Sequence, residues 1–383
     1  MKRRLNRQGN MPPSNDCLII SQSARALVES AASSAIHSHT IDCFADQETR
    51  AIADSWRILN FQDGMLDSMA LLDLLKDYES IPISHVVTGS GMEGCSKEVY
   101  DFISRRWNLC GNDYRTVQSC KDPVKLHYTL EKAAIPTPAI ASERKQNGRW
   151  KIKKRGGSGG GHVRDYVNGS LLPAGSFLQE SITGTTYSVV FLGNGQDARL
   201  IGVNETWQIK PGSGDYRYAG AATCGGMVPK TLSQELIDAI IILVRELRLK
   251  GLCGLDIIVT DAQYWYVLEL NPRPTASFEH YDAGKHLLQA HIQACMGHLP
   301  KTYNVDEWLR GSLVVYADRA FTMPALDWPM WISDRPLPGT EINAGEPVCS
   351  LKAKAGTRTE IKELLDHRQS TFQHLLEAAR HAA

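Results

Sequence analysis

The sequence predicts an α/β (α+β) protein in which a parallel, Rossmann-like domain is followed by mixed α+β segments and a small β-rich C-terminal unit. Short apolar runs lie near residues 17, 41 and 85, and those near 17 and 85 are followed by segments that can be helical. Further along, a long helix at 231–250 precedes two strands within 254–271. These observations indicate a parallel sheet at the start of the chain and a second core beyond it.

The first domain is predicted over residues 16–120, where strands and helices alternate. Its first turn, Ser21 to Arg25, reads SQSAR and lacks the GxGxxG pattern of dinucleotide-binding proteins. We therefore expect the Rossmann shape without its usual cofactor. The strands are expected at 17–21, 41–44 and 85–87, and the helices at 24–34 and 98–107.

Later elements are less regular. A helix within residues 121–139 ends before Pro136 and Pro138, which forbid its continuation, and we place a domain boundary there. The two later strands are expected at 254–260 and 263–271, joined by a tight turn at Asp261–Ala262. A central domain is thus predicted over 121–300, with subdomains at about 135–180 and 181–300. The C-terminal unit is predicted over 301–383, ending in a helix at 358–380.

Composition excludes several classes of protein. The 383 residues carry 42 basic and 42 acidic side chains, so a protein that coats nucleic acid or an anionic membrane is not expected. No apolar run approaches the length of a membrane span, and the basic start of the chain lacks the apolar core of a secretory signal. Nine scattered cysteines form no CxxC pair, which favours reduced thiols in a cytoplasmic protein.

The first motif that indicates chemistry is RWKIKKRGGSGGGHV at residues 149–163. Strand alternation places Lys151, Lys153 and Arg155 on one face. The following glycines allow backbone N–H groups to approach phosphate oxygens, and a lysine at the base of the loop adds a point charge. No Walker sequence is present. The alternative is a flexible basic hairpin on the surface.

The second motif comprises Asp256, in GLDIIV, and Glu269 with Asn271, in YVLELNPRP. Glu269 and Asn271 share one strand face. If the connecting turn has two residues, Asp256 lies on the same face, one diagonal step from Glu269. Two carboxylates and an amide oxygen among apolar neighbours suit Mg²⁺. A solvated strand edge is the alternative, and a register slip of one residue would turn Asp256 away.

The third motif, FLQESITGTTYSVVF at 177–191, is a strand, a polar turn and a second strand. By itself it indicates only a β-turn-β unit. In this order, the three motifs resemble an ATP-grasp enzyme, and the stretch from GSGMEG at residue 89 to PTP at 138 resembles the region that leads into that fold. The similarity covers about residues 16–300. The chain is most similar to ATP-grasp carboligases that are distantly related to biotin carboxylase.

The resemblance implies roles for individual residues. Lys153 would contact the ATP phosphates, and Arg273 would face the γ-phosphate or an acyl phosphate. Relatives also carry a ribose-binding acid where this chain has Thr186, and a second phosphate lysine just after the position of Asp122, so that Lys121 or Lys125 would have to substitute. The resemblance further implies a flap that includes Gly157, Ser158, Gly159 and Gly160, an adenine hinge at Glu180, Ser181 and Ile182, and Mg²⁺ or Mn²⁺ ligands at Asp256, Glu269 and Asn271.

The activity implied by the resemblance is an ATP-dependent carboxylate–amine ligation through an acyl phosphate. The alternatives are another ATP-grasp reaction, either a kinase-like phosphoryl transfer or a carboxylation, and a non-catalytic ATP-binding protein. The expected partners are a small-molecule carboxylate and an amine, with no nucleic acid and no membrane. A homodimer is also possible within such a family.

Overall fold

The computed structural model describes residues 15–62, 65–157, 159–210, 214–228, 230–284, 286–303 and 308–382. In these ranges, no helix is both long and apolar enough to cross a membrane.

A five-stranded parallel sheet forms the first part of the chain, with strand order β3-β2-β1-β6-β7. Alternate residues of β1 pack into different apolar clusters, because successive side chains of a strand point to opposite faces. The Rossmann-like prediction is therefore confirmed. The elements are β1 (Asp16–Ser21), α1 (Arg25–Ser33), β2 (His37–Asp42), α2 (Gln47–Ile52), β3 (Ser55–Ile58), β4 (Phe61–Gln62), β5 (Met65–Leu66), α3 (Ser68–Asp77), β6 (His85–Thr88), α4 (Lys97–Arg106) and β7 (Asn108–Cys110).

The second strand differs from its prediction. It was expected at 41–44 but ends at Asp42, whose carboxylate accepts N–H hydrogen bonds from Ala24, Phe44 and Ala45. A side chain that accepts bonds from the next backbone amides turns the chain out of the sheet.

The helix expected within 121–139 is the second of two helices, α5 (Tyr114–Lys121) and α6 (Pro123–Lys132). Asp122 ends the first helix and caps the second, accepting hydrogen bonds from the N–H groups of Val124 at 2.9 Å and Lys125 at 3.2 Å. Pro123 follows at the first helical position, where its missing N–H has no cost. The break leaves Lys121 at the end of α5, which contacts a strand of the large sheet.

A small antiparallel sheet follows, with strand order β10-β9-β11-β8. We refer to it as the flap sheet. Most side chains of its lysine strand are only half-buried. Its strands are β8 (Ile140–Ala141), β9 (Trp150–Lys154), β10 (Arg164–Asp165) and β11 (Ser176–Glu180).

The large sheet has eight strands in the order β16-β15-β12-β13-β14-β17-β21-β19. The long helix α7 packs Leu236, Ile240 and Leu243 into one apolar cluster with Leu255 and Ile257 of β15. The elements of this part are β12 (Thr185–Asn194), β13 (Ala198–Lys210), β14 (Asp215–Thr223), α7 (Lys230–Leu247), β15 (Lys250–Val259), β16 (Trp265–Asn271) and α8 (Leu287–Cys295).

The C-terminal strands extend the same sheet, since β17 pairs with β14 and β21 pairs with β17. The β-rich segment after residue 300 is therefore continuous with the central sheet, while the boundaries assigned to the domains stay predictions. Its elements are β17 (Leu309–Tyr316), β18 (Phe321–Thr322), β19 (Ile332–Ser333), β20 (Glu341–Ile342), β21 (Pro347–Ala355) and α9 (Arg358–Ala382).

Candidate active site

Asp256 on β15 and Glu269 on β16 lie directly opposite each other. The two-residue turn predicted at 261–262 would have placed them one diagonal step apart. Instead, residues 260–264 connect the strands, and the pairing shifts so that Leu268 has no opposite partner. This β-bulge brings the two carboxyl groups closer together than the sequence indicated.

The two carboxyl groups have opposite pKa shifts. Burial raises the pKa of Asp256 to about 6, and the neighbouring charge of Glu269 adds to the shift. Burial also opposes ionisation of Glu269, but Lys121 and Lys153 outweigh it and lower its pKa to about 2. Glu269 is therefore ionised at neutral pH, whereas the raised pKa of Asp256 favours its protonated form more than in an ordinary aspartate.

Lys121, at the end of α5, contacts Glu269 of this pair and the neighbouring Asn271. Its ammonium group donates hydrogen bonds to Glu269 Oε1 and, at 2.9 Å, to Asn271 Oδ1, and its side chain is only 6% exposed. Asn271 in turn donates from Nδ2 to Asp256 Oδ2 at 2.9 Å. The oxygen atoms predicted to hold a metal thus converge on a positive charge, which the lysine supplies here.

A cavity opens between the flap sheet, α6 and β16. Lys121, Lys153 and Glu269 line one part of it. Another part is apolar and includes residues of α6. A cavity with a charged region and an apolar region suits a nucleotide. The remaining lining residues include Leu126, Leu130, Ile140, His162, Phe177, Gln179, Val267 and Leu268.

Lys153 projects into this cavity from β9. Burial lowers its pKa, while the charges of Glu269 and Asp256 oppose the shift. Its ammonium group makes no hydrogen bond or ion pair with any residue that the structure describes. Lys151, on the same strand face, donates to the Tyr216 hydroxyl and to Asp165 Oδ1. Of the two lysines that share this strand face, Lys153 is therefore the one that can bind an anionic ligand.

The glycine loop lies against β14. The carbonyl of Gly159 accepts a hydrogen bond from the N–H of Tyr218 at 3.1 Å. Gly160 has a φ of 79°, and any Cβ there would collide with the carbonyl oxygen of Tyr216. Gly157 lines the cavity, whereas the predicted flap residue Ser158 lies outside the described residues. The flap therefore bridges the flap sheet and the large sheet.

At the predicted hinge, Gln179 rather than Glu180 lines the cavity, and its Nε2 donates to the carbonyl of Leu268 at 3.2 Å. Glu180 is exposed, and its carboxylate accepts the N–H of Ala139 at 3.4 Å. The N–H of Ser181 already donates to a backbone carbonyl, that of Arg149. The predicted adenine contacts of Glu180, Ser181 and the half-buried Ile182 stay predictions.

Arg273 does not point freely into the site. Its Nε donates to Glu93 Oε1, and its Nη1 donates to the carbonyl of Pro274. Both partners of the ion pair are largely buried, with side-chain exposures of 13% for Arg273 and 6% for Glu93. The Nη2 group makes no hydrogen bond with the described residues. The predicted role of Arg273 at a phosphate thus depends on this remaining edge of its guanidinium group.

The ribose position also differs from the expected pattern. Thr186 uses its hydroxyl within the sheet, donating to the carbonyl of Thr206 at 3.2 Å and accepting from its hydroxyl at 3.0 Å. No acidic group replaces it at that point of the strand.

The sequence analysis missed several residues of the site. Glu93 follows the glycine turn of GSGMEG, a stretch that was used only for its resemblance. His162 ends the glycine run and lines the cavity, and its charge contributes to the low pKa of Glu269. Tyr216 and Asp165, which hold Lys151, belong to strands that pair with different sheets, so no sequence pattern could connect them.

The side chains of Asp256, Glu269 and Asn271 carry oxygen atoms of the kind that bind a divalent cation. Oxygen atoms of a carboxylate and an amide already converge on one ammonium group, and the second carboxyl group is adjacent. In the described ranges, no group of three or more histidine, cysteine, aspartate or glutamate side chains is arranged to hold a metal. The predicted set contains only two such side chains, so a cation there would need further oxygen atoms from water or substrate.

Comparison with known families agrees with this geometry. The family model described as an ATP-grasp domain matches residues 120–277. This part of the chain is similar to an ATP-grasp domain. The match includes the glycine loop, the predicted hinge and strands β15 and β16. No curated protein matches the chain in sequence at a significant level.

Solved structures of similar architecture span nearly the whole chain. N5-carboxyaminoimidazole ribonucleotide synthetase from Thermotoga maritima is 15% identical with a TM-score of 0.69, covering 93% of this chain and 98% of its own. L-amino acid ligase from Bacillus licheniformis is 12% identical with a TM-score of 0.68, covering 94% and 98%. Biotin carboxylase from Campylobacter jejuni is 12% identical with a TM-score of 0.69, covering 91% and 89%. At these identities the likeness establishes the fold, and the predicted ATP-grasp architecture is confirmed.

Proposed function

We propose that the protein is an ATP-dependent carboxylate–amine ligase that forms an amide or peptide bond through an acyl phosphate, releasing ADP and phosphate. The observation that carries the proposal is the charge arrangement at the cavity. The buried Lys121 and the half-buried Lys153 lie beside the opposed carboxyl groups of Asp256 and Glu269, next to a glycine loop. Such an arrangement can grip and orient a polyphosphate.

ATP would place its base in the apolar part of the cavity, near Gln179 and Leu130. Its phosphates would lie at Lys153, beneath the N–H groups of the glycine loop. Lys121 is the only lysine near the expected second phosphate position that lines the cavity among the described residues, because Lys125 lies on the exposed side of α6. The proposal therefore assigns the second phosphate contact to Lys121.

Asp256, Glu269 and Asn271 would hold Mg²⁺, or Mn²⁺ in its place. When bound, the metal neutralises charge on phosphate oxygens. The chain contributes the hard oxygen ligands and a sheet edge that keeps them in register. Lys121 would leave Glu269 and Asn271 as it turns to the phosphates.

In the proposed reaction, a substrate carboxylate oxygen attacks the γ-phosphorus of ATP, and the bond to the β-phosphate oxygen breaks to release ADP. The nitrogen of an amine then attacks the carbonyl carbon of the acyl phosphate, and phosphate leaves with the bonding electrons. Lys153 and the unbonded Nη2 edge of Arg273 would stabilise the charge on the transferring group. Glu93 would position Arg273 for this role.

The names of two structural neighbours, the synthetase from Thermotoga maritima and the L-amino acid ligase from Bacillus licheniformis, support this class of reaction. A kinase-like phosphoryl transfer, a carboxylation and non-catalytic ATP binding are the competing functions. Small-molecule substrates, a cytoplasmic location and a homodimer belong to the same proposal.

A hydroxylamine trap tests the proposed function. The protein is given ATP, Mg²⁺ and pools of carboxylic acids, and hydroxylamine intercepts any acyl phosphate as a hydroxamate. ADP release that depends on one acid, with formation of its hydroxamate, is the expected result. A stable phosphorylated product or a carboxylated product would replace the proposal with one of the two other reactions. ATP binding without turnover of any acid would indicate a non-catalytic protein.

The assignment of Lys121 has its own test. Lys121→Ala should weaken binding of ATP by about 10- to 100-fold, because a charge-assisted contact to a phosphate is lost. Lys125→Ala, on the next helix, is the matched control and should bind ATP like the wild-type protein. Isothermal titration with a non-hydrolysable ATP analogue measures both, and equal affinities for the two variants would refute the assignment.

A further inference from the structure

The ammonium group of Lys121 lies at the point where the oxygen atoms proposed to bind a metal converge. It donates hydrogen bonds to Glu269 Oε1 and, at 2.9 Å, to Asn271 Oδ1. The Nδ2 group of Asn271 donates in turn to Asp256 Oδ2 at 2.9 Å. Lys121 thus uses two of the oxygen atoms that a divalent cation would need, and it already brings a positive charge to them.

The helix that carries Lys121 holds it in this place. Asn112, just before α5, donates to the carbonyl of Pro272, which directly follows β16, at 2.9 Å. Within α5, the hydroxyl of Thr116 donates to the carbonyl of Leu247 at 3.3 Å. The Lys121 side chain itself is 6% exposed. Its contact with β16 therefore belongs to the packed interior and differs from a surface ion pair, in which both side chains move freely in water.

The charges of the site balance without a metal. Asp256 and Glu269 bring at most two negative charges, and Lys121 and Lys153 bring two positive charges. The next cation, Arg273, already forms its own ion pair. A divalent cation added to this set would leave the site with excess positive charge, and repulsion between like charges is strong at a buried site. The negative charges of a triphosphate would reverse the balance, because they attract both the lysines and the metal.

We propose that Lys121 is an internal counter-cation that keeps a divalent metal away from Glu269 and Asn271 until a nucleotide draws its ammonium group to the phosphates. The proposal rests on the proposed function, because it takes these side chains for the metal site of an ATP-dependent enzyme. It goes beyond that function by making metal binding conditional on the nucleotide. The control lies in one side chain at the end of α5 and needs no movement of the helix.

The exchange of Lys121 for a metal couples the binding of the two ligands. Nucleotide and metal should bind with positive cooperativity, since the nucleotide removes the competitor of the metal. The protein alone should bind metal weakly, because part of the binding free energy is used to displace Lys121 from Glu269 and Asn271. Removal of the charge of Lys121 should therefore create metal binding that needs no nucleotide.

Titration of the full-length protein with Mn²⁺ alone, without nucleotide, is the decisive experiment. The electron paramagnetic resonance signal of free Mn²⁺ measures how much is bound. Lys121→Gln removes the charge and keeps an N–H group that can donate to Glu269, so the fold should tolerate it. We expect this variant to bind Mn²⁺ at least about 10-fold more tightly than the wild-type protein. Lys125→Gln, on the exposed side of α6, is the matched control and should bind Mn²⁺ like the wild-type protein.

Two further variants locate the added binding and separate charge from shape. Glu269→Gln in the Lys121→Gln protein should abolish the added Mn²⁺ binding, because the site depends on that carboxylate. Lys121→Arg keeps the positive charge and should bind Mn²⁺ as weakly as the wild-type protein. Added binding that survives Glu269→Gln, or that also appears in Lys121→Arg, would overturn the proposal.

The wild-type protein can refute the proposal even if a variant fails to fold. Binding of one Mn²⁺ per chain at micromolar concentration without nucleotide would show that Lys121 does not exclude the metal. The outcome is separate from that of the hydroxylamine trap. Added Mn²⁺ binding by Lys121→Gln without any hydroxamate would support this proposal and remove the ligase, whereas hydroxamate formation with equal Mn²⁺ binding by the wild-type protein and Lys121→Gln would do the reverse.

Discussion

The two walls of the cavity proposed to bind ATP are built differently. One wall contains residues of β16, which belongs with its neighbouring strand β15 to the main apolar core, and most side chains of β15 are buried. The opposite wall is the flap sheet, where Lys153 lies on a half-buried strand. The apolar clusters of the described residues include none between 140 and 180. Both walls carry charge that faces the cavity, but only one of them is anchored in the core.

Because of this difference, substitutions in the two walls should have different effects on the stability of the fold and on ligand binding. On the core wall, a change in charge acts on a buried group and alters both the free energy of unfolding and any chemistry. On the flap wall, a change should act mainly on ligand binding, because little apolar surface depends on it. Four predictions test the contrast.

The largest expected effect is on the core side of the site, at the buried ion pair of Glu93 with Arg273, which follows β16. Glu93→Gln leaves the buried guanidinium of Arg273 without its carboxylate and should lower the free energy of unfolding by about 3–5 kcal/mol. Urea unfolding measures the change. Glu79→Gln is the matched control, because the ion pair of Glu79 with Arg106 is 44% and 38% exposed and should contribute less than about 1 kcal/mol. Equal losses in the two variants would contradict the buried character of the Glu93 pair.

On the flap wall, Lys153→Ala should reduce kcat/KM by about 10²–10³-fold, because a charge aimed at the transferring phosphate is lost. The Tm should change little, since the Lys153 ammonium makes no ion pair with the described residues. Arg155→Ala, an exposed position just beyond the end of β9, should keep near wild-type activity. A large fall in Tm with Lys153→Ala would show that the flap wall also supports the fold.

The pKa of Asp256 predicts a pH dependence on the core wall. Its value rises from 3.8 to about 6 on folding, so the protonated carboxyl is favoured in the folded state. Its contribution to stability is therefore greatest below pH 3.8 and is lost as the pH rises to about 6, by on the order of 1–3 kcal/mol. The lowered pKa of Glu269 acts in the opposite direction: its contribution to stability is lost as the pH falls from 4.5 to about 2.

Asp256→Asn isolates this effect. Without added divalent cation, the Tm of the wild-type protein should fall relative to that of the variant as the pH rises from about 4.5 to 7. Calorimetry of both proteins across this range measures the difference. A constant difference would show that Asp256 has an ordinary pKa.

The smallest effect concerns the contact between the walls. Gly159→Ala and Gly160→Ala both place a side chain at a positive φ, which costs about 1–2 kcal/mol in each. Only Gly160 faces the Tyr216 carbonyl, whereas Gly159 has open space. Gly160→Ala should therefore raise the KM for ATP about 10-fold more than Gly159→Ala, as steady-state kinetics would show. Identical KM values would mean that the flap need not close on β14.

The sequence predicted local elements well where the hydrophobic periodicity was strong and capping or turn residues marked the ends. The long helix, the two strands at 254–271 and the final helix all appear with small shifts at their ends. The prediction was weaker where one side chain decides the boundary. Asp42 ends a strand early, and Asp122 divides a helical region in two. Both effects come from short-range hydrogen bonds that hydrophobic periodicity does not record.

The sequence by itself determined the residue types of the site and their order along the chain, because strand alternation puts Glu269 and Asn271 on one face and the glycine run needs a flexible loop. Only the tertiary structure decided which of these side chains contact each other. The bulge at Leu268 sets Asp256 opposite Glu269, while α5 delivers Lys121 and the turn before α4 delivers Glu93. The contacts of Lys121 and Glu93 join residues about 150 to 180 positions apart, and their geometry depends on how whole elements pack, which no local pattern encodes.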